Sequence, residues 1–293
     1  MKSIPNFRAL PRDRRLLSAF VLALICAACG EAPPPAAPAL PTPSIPRISD
    51  KVEAAGTDGV EVAARYPAMR SELAPLDAAM HAYTETQQAA LAARIKKLKL
   101  EAERAERPGK LDLDFTIATQ TVAFVSALAQ GQADVGDGKP TPLRAAFNLH
   151  LASGRIVALG DLFTDADAVL KLFSDEARRR LYAEYEARLY NQNLAQAELT
   201  ARMKAMHALV DKGTEPTAEN FASFLVDGVD GKAIGITLIF PPGQVADETE
   251  GAQQVEVPVK LFADKIKSEY GDAFDQDSAA PNAQPTSDSP SSR

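Results

Sequence analysis

Three histidines, His81, His150 and His207, are the first residues to weigh for base or metal chemistry, and their spacing does not gather them. None belongs to a His-x-x-x-His or His-x-Glu pair, the spacing that sets two ligands on one face. Asp112 and Asp114 stand two apart, which puts two carboxylates on one side of a strand. That alternation is equally what a solvated strand face shows, and nothing near them completes an acid–base pair. Gly131-Gln-Ala-Asp-Val-Gly136 begins like a phosphate-cradling loop, but Asp137 occupies the place where Lys is required. Asp134-Val-Gly-Asp137 and Asp227-Gly-Val-Asp230 lack the oxygen-ligand spacing of a calcium loop and read as turns. No Gly-x-Ser-x-Gly elbow occurs. The chain reads as non-enzymatic, with no cofactor and no metal.

Covalent chemistry is expected at one place only. Cys26 and Cys29 are the only cysteines, which excludes a disulfide framework, an Fe–S cluster and a cysteine nucleophile in the folded body. Lys2, Arg8, Arg12, Arg14 and Arg15 precede the apolar run Leu16–Ile25, a basic n-region followed by a short h-region. The run is shorter than the roughly 20 residues that a spanning helix needs. Ala27-Ala28-Cys29-Gly30 is similar to the lipobox of bacterial lipoproteins, which implies lipidation of Cys29 and removal of residues 1–28. Cys26 departs from the usual Leu. A plain secreted protein cut after Ala28 and an uncleaved anchor stand as alternatives. No Asp directly follows Cys29, so in a cell with two membranes the expected location is the outer membrane, facing the periplasm, with the membrane as a partner through the lipid.

Residues 29–50 form a linker, Pro/Ala-rich from Glu31, which favours extended polyproline II and spans up to about 60 Å at about 3.1 Å per residue. Residues 274–293, which from Asp275 are mostly Ser, Asp, Ala, Pro and Asn with no apolar period, read as a disordered tail. Without residues 1–28 the chain holds 27 Lys+Arg against 38 Asp+Glu, a net −11, which argues against nucleic acid as a partner.

The elements that position any site lie in residues 51–273. Val60–Ala64 is a strand candidate closed by Tyr66-Pro67. Leu73, Leu76, Met80, Tyr83, Leu91, Ile95 and Leu98 recur at helical spacing from about Ala68 to Glu106, with Pro75 in the first turn. Leu111, Leu113, Phe115 and Ile117 then alternate with polar residues, a half-buried strand, and Val122–Gln130 is its antiparallel neighbour. After a loop (Gly131–Pro142), alternation resumes through Leu143, Ala145, Phe147, Leu149 and Leu151, and Ser153-Gly154 turns the chain into a further strand. Helix follows from Thr164 or Asp165 to about Val210. Asn220–Val226, Ala233–Phe240 and Gln254–Val257 read as strands, and Val259–Tyr270 as a closing helix. The expected fold is α+β: one domain, an antiparallel sheet with helices segregated around it and no βαβ alternation.

Tyr66-Pro67, Phe147–Phe163, Pro216–Phe221 and Val255–Leu261 occur in an order that resembles the RsiV-like extracellular domain family. That family includes the ectodomain of a lysozyme-sensing anti-sigma factor and a domain of the peptidoglycan deacetylase PdaC. Ser153-Gly154-Arg155 and Leu159-Gly160-Asp161-Leu162-Phe163 match its hairpin and the "Leu-x-Asp-Leu-Phe" motif after it. The resemblance covers about residues 52–272 and implies a domain that binds a wall-associated partner, lysozyme or peptidoglycan. The family's Gly-Gly-Ala-His-Pro loop is here Gly136-Asp137-Gly138-Lys139-Pro140, without the histidine. Too few residues precede the apolar run to hold a sigma factor. A structural envelope lipoprotein without a wall ligand, and a cell-wall hydrolase or deacetylase, stand as alternatives. Within Asp134–Pro140, Asp134, Asp137 and Lys139 form the candidate partner loop, an ordinary connection being the plainer alternative.

Overall fold

A computed structural model of the chain describes residues 51–57, 59–101 and 108–276. The expected signal peptide, Cys29, the expected linker up to residue 50 and the expected tail from residue 277 lie outside them, as does the expected helix beyond Glu101. The described residues belong to one unit.

Two β-sheets share the work of burial. The first has six strands in the order β1 (Lys51–Thr57), β2 (Val60–Tyr66), β3 (Gly109–Gln120), β4 (Phe124–Asp134), β5 (Thr141–His150) and β6 (Arg155–Ile156). The second is β7 (Phe224–Val229), β8 (Lys232–Phe240) and β9 (Gln253–Pro258), all antiparallel. Helix α1 (Ala74–Glu101) lies between β2 and β3 in the chain; α2 (Ala166–Tyr190) and α3 (Gln196–Gly213) lie between the sheets in sequence, and α4 (Ser268–Gly271) follows them.

The α+β class holds, but the first sheet is mixed. Strand β2 pairs with β3 in parallel, Val60 opposite Gly109 and Arg65 opposite Asp114. The connection is a β–helix–β crossover, because two parallel neighbours need a long return path and α1 supplies it. Leu73, Leu76, Met80, Leu91 and Ile95 form its apolar stripe and bury with Leu111, Leu113 and Phe115 of β3. Tyr66 at the end of β2 donates from its hydroxyl to Thr84 Oγ1 (2.8 Å), which donates in turn to the Met80 carbonyl (3.2 Å).

Strand β3 alternates as its sequence requires, with Asp112 and Asp114 exposed opposite Gln132 and Gln130. Strand β4 does not: Phe124 to Ala129 are buried without a break. One face packs towards α1 and the other meets β7. Asn148 of β5 donates to the Phe224 carbonyl (2.7 Å) and accepts from Ser126 Oγ (2.6 Å). Thr119 Oγ1 donates to the Val226 carbonyl (2.6 Å). Strand β7 is an edge of its sheet, so these side chains satisfy backbone groups that have no ladder partner on that side.

Asp165 caps α2, its carboxylate accepting from the Ala168 amide (3.0 Å). Phe163, Phe173 and Phe262 cluster with centroids 5.5–5.9 Å apart beneath β8 and β9 residues Ile236, Leu238 and Val257. Asp230 and Gly231 both take positive φ (50° and 82°), the pair of left-handed residues that a tight β7–β8 hairpin needs.

Two expectations for the C-terminal part are corrected. Val259–Tyr270 is not one helix but two 3₁₀ turns, Val259–Leu261 and Ala263–Lys265, followed by the single turn α4. Phe262, Ile266 and Tyr270 keep helical spacing and are buried. The backbone between them is engaged elsewhere: the Lys265 carbonyl accepts from the Thr164 amide (2.9 Å) and the Lys267 amide donates to the Leu162 carbonyl (2.9 Å). The domain also runs past residue 273. Phe274 is buried against Phe124 and Phe262, and the Asp275 amide donates to the Ala233 carbonyl (2.7 Å).

Candidate functional site

The Asp134–Pro140 connection is shorter than expected, because β4 continues through Asp134 and β5 starts at Thr141. Asp134 Oδ1 accepts from the amides of Gly136 (2.8 Å), Asp137 (3.1 Å) and Gly138 (3.3 Å). Desolvation opposes ionisation of Asp134, but those three amides outweigh it and hold the carboxyl below its ordinary range. Asp137 Oδ1 accepts from the Lys139 amide (3.0 Å). Both glycines take positive φ (90° and 76°), and nothing lies within 4 Å of where a Cβ on Gly138 would sit. The glycines thus serve the turn and not a close approach of another chain segment. Asp137 and Lys139 are exposed at the tip. Asp134 is turned back onto its own loop.

The histidines stay apart. His81 stacks on Tyr66 at 4.0 Å, His150 meets Ser153 Oγ (2.9 Å) beside Tyr270, and His207 pairs with Glu186 (2.9 Å) against Tyr182. Among the described residues no cluster of His, Cys, Asp and Glu is arranged to hold a metal. Across the matched Phe147–Phe163 stretch the side chains serve the fold. Gly154 makes the hairpin turn at φ 64°, Asp161 Oδ2 accepts from the Ala158 amide (2.9 Å), and Leu159, Leu162 and Phe163 are buried.

Two cavities fell outside the sequence expectations. One of about 670 Å³ lies between α2, α3 and the Val245–Glu250 segment, with Tyr185, Leu189, Met206 and Leu209 in its lining and Arg188 and Arg202 at its polar side. Tyr185 is 4% exposed and its hydroxyl has no hydrogen-bond partner among the described residues. Burial, then the nearby Glu250 carboxylate, raises its pKa well above the tyrosine range, so it stays a neutral O–H. Both arginines are already paired, Arg188 with Glu184 and Glu250, Arg202 with Glu198.

The second cavity, about 320 Å³, lies beside the outer edge of β5, between α1 and the segments that flank β7 and β8. Arg144 lines it, half-buried, and its Nε is buried with no hydrogen-bond partner among the described residues. Among the described residues the guanidinium has no ion pair, and burial lowers its pKa. Tyr83, Gln87 and Ser223 share the lining, and none of their side-chain polar groups takes a hydrogen bond from a described residue. Burial pushes Tyr83 up to about 12, which keeps it a hydrogen-bond donor. Arg144 occupies the polar phase of β5, where a cation reads as solvated. The unbroken apolar run of β4 next to it was the available sign that this face is covered.

No protein-family model matches the chain, and no curated protein matches it. Solved structures similar to it are DUF3298 family proteins. One from Bacteroides fragilis is 12% identical and covers 76% of this chain and 94% of its own, with a TM-score of 0.44. One from Pseudomonas aeruginosa is also 12% identical and covers 76% of this chain and 95% of its own, with a TM-score of 0.48.

Proposed function

We propose that this is a non-enzymatic, lipid-anchored protein of the cell envelope whose α+β body, of RsiV-like type, binds a wall-associated partner, a lysozyme-type muralytic enzyme or peptidoglycan. The observation that carries it is the N-terminal order of segments. A basic stretch, a short apolar run and Ala27-Ala28-Cys29 come before a Pro/Ala-rich spacer, and only then does the folded body begin. A tether of that kind holds a domain at a membrane surface while letting it reach outward. The hairpin and turn of Phe147–Phe163 support the RsiV-like assignment, since Gly154 and Asp161 hold the backbone where the motif would need them.

The net charge of −11 without residues 1–28 suits a basic partner, and attraction of that kind speeds association and weakens with salt. The test is binding of a basic lysozyme, and separately of insoluble peptidoglycan, to the mature chain at low and moderate salt. Binding that falls with salt, and less steeply when Asp134 and Asp137 are both changed to Asn, is the expected result. Retention of neither ligand would overturn the wall-partner reading. Equal affinity of the double variant would remove the loop from it.

A further inference from the structure

We infer that the cavity beside Arg144 is a binding site for a carboxylate group. This stands independently of the lipid anchor and of the wall partner. A guanidinium taken partly out of water without a counter-charge is costly, and folded proteins pair such groups or leave them in solvent. Here Arg144 is half-buried, its Nε is shut off from water, and among the described residues no carboxylate or carbonyl reaches it. The sequence did not need an arginine for packing at that position, since its neighbours in the same phase of β5, Ala146 and Asn148, are small or polar and pack without a charge.

The surroundings complete the chemistry. Tyr83, Gln87 and Ser223 line the same cavity with side-chain donors that no described residue engages. The backbone adds to them. Asn148 turns its carbonyl away from β4 to accept from the Val157 amide (2.9 Å), and the two-residue alternation of a strand turns Ala146 and Arg144 to the same edge. Strand β6 pairs only with Leu149 and His150, so the edge from Thr141 to Asn148 has no described strand beside it. A guanidinium fork among neutral donors at an open strand edge matches a planar carboxylate, which accepts two parallel hydrogen bonds from it. Glu219, an exposed residue of the lining, opposes negative charge there, and a phosphate dianion more than a single carboxylate. At about 320 Å³ the space is at the small end of ligand cavities, enough for an acid group with a short stem.

Titration of the full mature chain with N-acetylglycine, a minimal peptide end, tests this, with acetate, the neutral N-acetylglycine amide and inorganic phosphate as parallel probes. The readout is the Arg144 side-chain Nε–H resonance in labelled protein, assigned by its disappearance in Arg144→Gln. Saturable movement with N-acetylglycine, none with the amide and none of comparable size with phosphate is the expected outcome. Tighter binding of N-acetylglycine than of acetate would mark a peptide end, and equal binding a free small acid; both carry the proposal. No saturable movement with either acid, an equal response to the amide, or stronger binding of phosphate would overturn it. Stability without ligand gives a second check. Arg144→Met, which removes an uncompensated charge but keeps the apolar stem, should melt at or above the wild-type temperature. A fall of more than about 4 °C would show that Arg144 serves the fold, and the proposal would fail.

Discussion

Asp227 is the carboxylate whose environment the fold disturbs most visibly. It sits on β7 at an irregularity in the β7–β8 pairing, accepts from Thr237 Oγ1 (2.8 Å), and titrates at about 6 instead of 3.8. Burial is the main cause; the Thr237 bond works against it and the Glu256 carboxylate adds to it. The folded carboxyl therefore holds a proton at pH values where the unfolded one has lost it. Its contribution to stability is whole below pH 3.8 and is lost as pH rises through about 6. Asp227→Asn keeps an acceptor for Thr237 and never ionises. The variant should be more stable than wild type at neutral pH by about 3 kcal/mol, and the two should converge on acidification. Denaturant unfolding at a series of pH values measures the difference. A constant difference, or a less stable variant at neutral pH, would mean that burial does not govern this group. In the sequence Asp227 reads as part of a turn, because the cover that buries it comes from residues elsewhere in the chain.

The elements of the body show where sequence pattern is informative and where it stops. Helix α1 and strand β3 were legible because each buries one face, and a single apolar period records that directly. Strand β5 lies where its alternation puts it, and its second face is covered as well. Asn148 and Arg144 are polar for reasons that lie in β7 and in a cavity, and no local period encodes a second sheet. The parallel β2–β3 pair was missed for a related reason, since direction depends on where a helix returns the chain and not on strand composition. The Asp134–Pro140 loop could be located, while the inward use of Asp134 could not be read from it. The C-terminal boundary is the sharpest case. Phe274 stands between Ala273 and a run of acidic and small residues, and composition assigns it to the tail. The structure puts it 6.0 Å from Phe124 and 5.9 Å from Phe262, at 4% exposure. Phe274→Ala should cost about 3–5 kcal/mol, a fall of roughly 6–20 °C in melting temperature for a body of this size. A chain ending at Ala273 should lose at least as much, and one ending at Gln276 should melt like the full chain. Equal melting of all three would return the boundary to 273.

At the scale of the whole molecule the question is what holds the body in place. Among the described residues no helix is long and apolar enough to cross a membrane. The run Leu16–Ile25 is too short to span, and the two small residues before Cys29 match the pattern on which the proposed lipid anchor rests. A single acyl chain binds membranes only marginally, whereas the several chains of a lipidated N-terminal cysteine hold a protein firmly. Cys29→Ser should therefore move the protein from the membrane fraction to the soluble fraction of the envelope, with no labelled palmitate incorporated. Cys26→Ser should leave both location and labelling unchanged, since Cys26 lies on the segment that is removed. The folded body begins some twenty residues later, so the Cys29 variant should keep the same melting temperature and the same partner affinity in solution. Palmitate incorporated equally into Cys29→Ser, or release of the protein by Cys26→Ser alone, would sink the assignment of the anchor. A variant released from the membrane that also loses partner binding in solution would show that the lipidated end takes part in recognition.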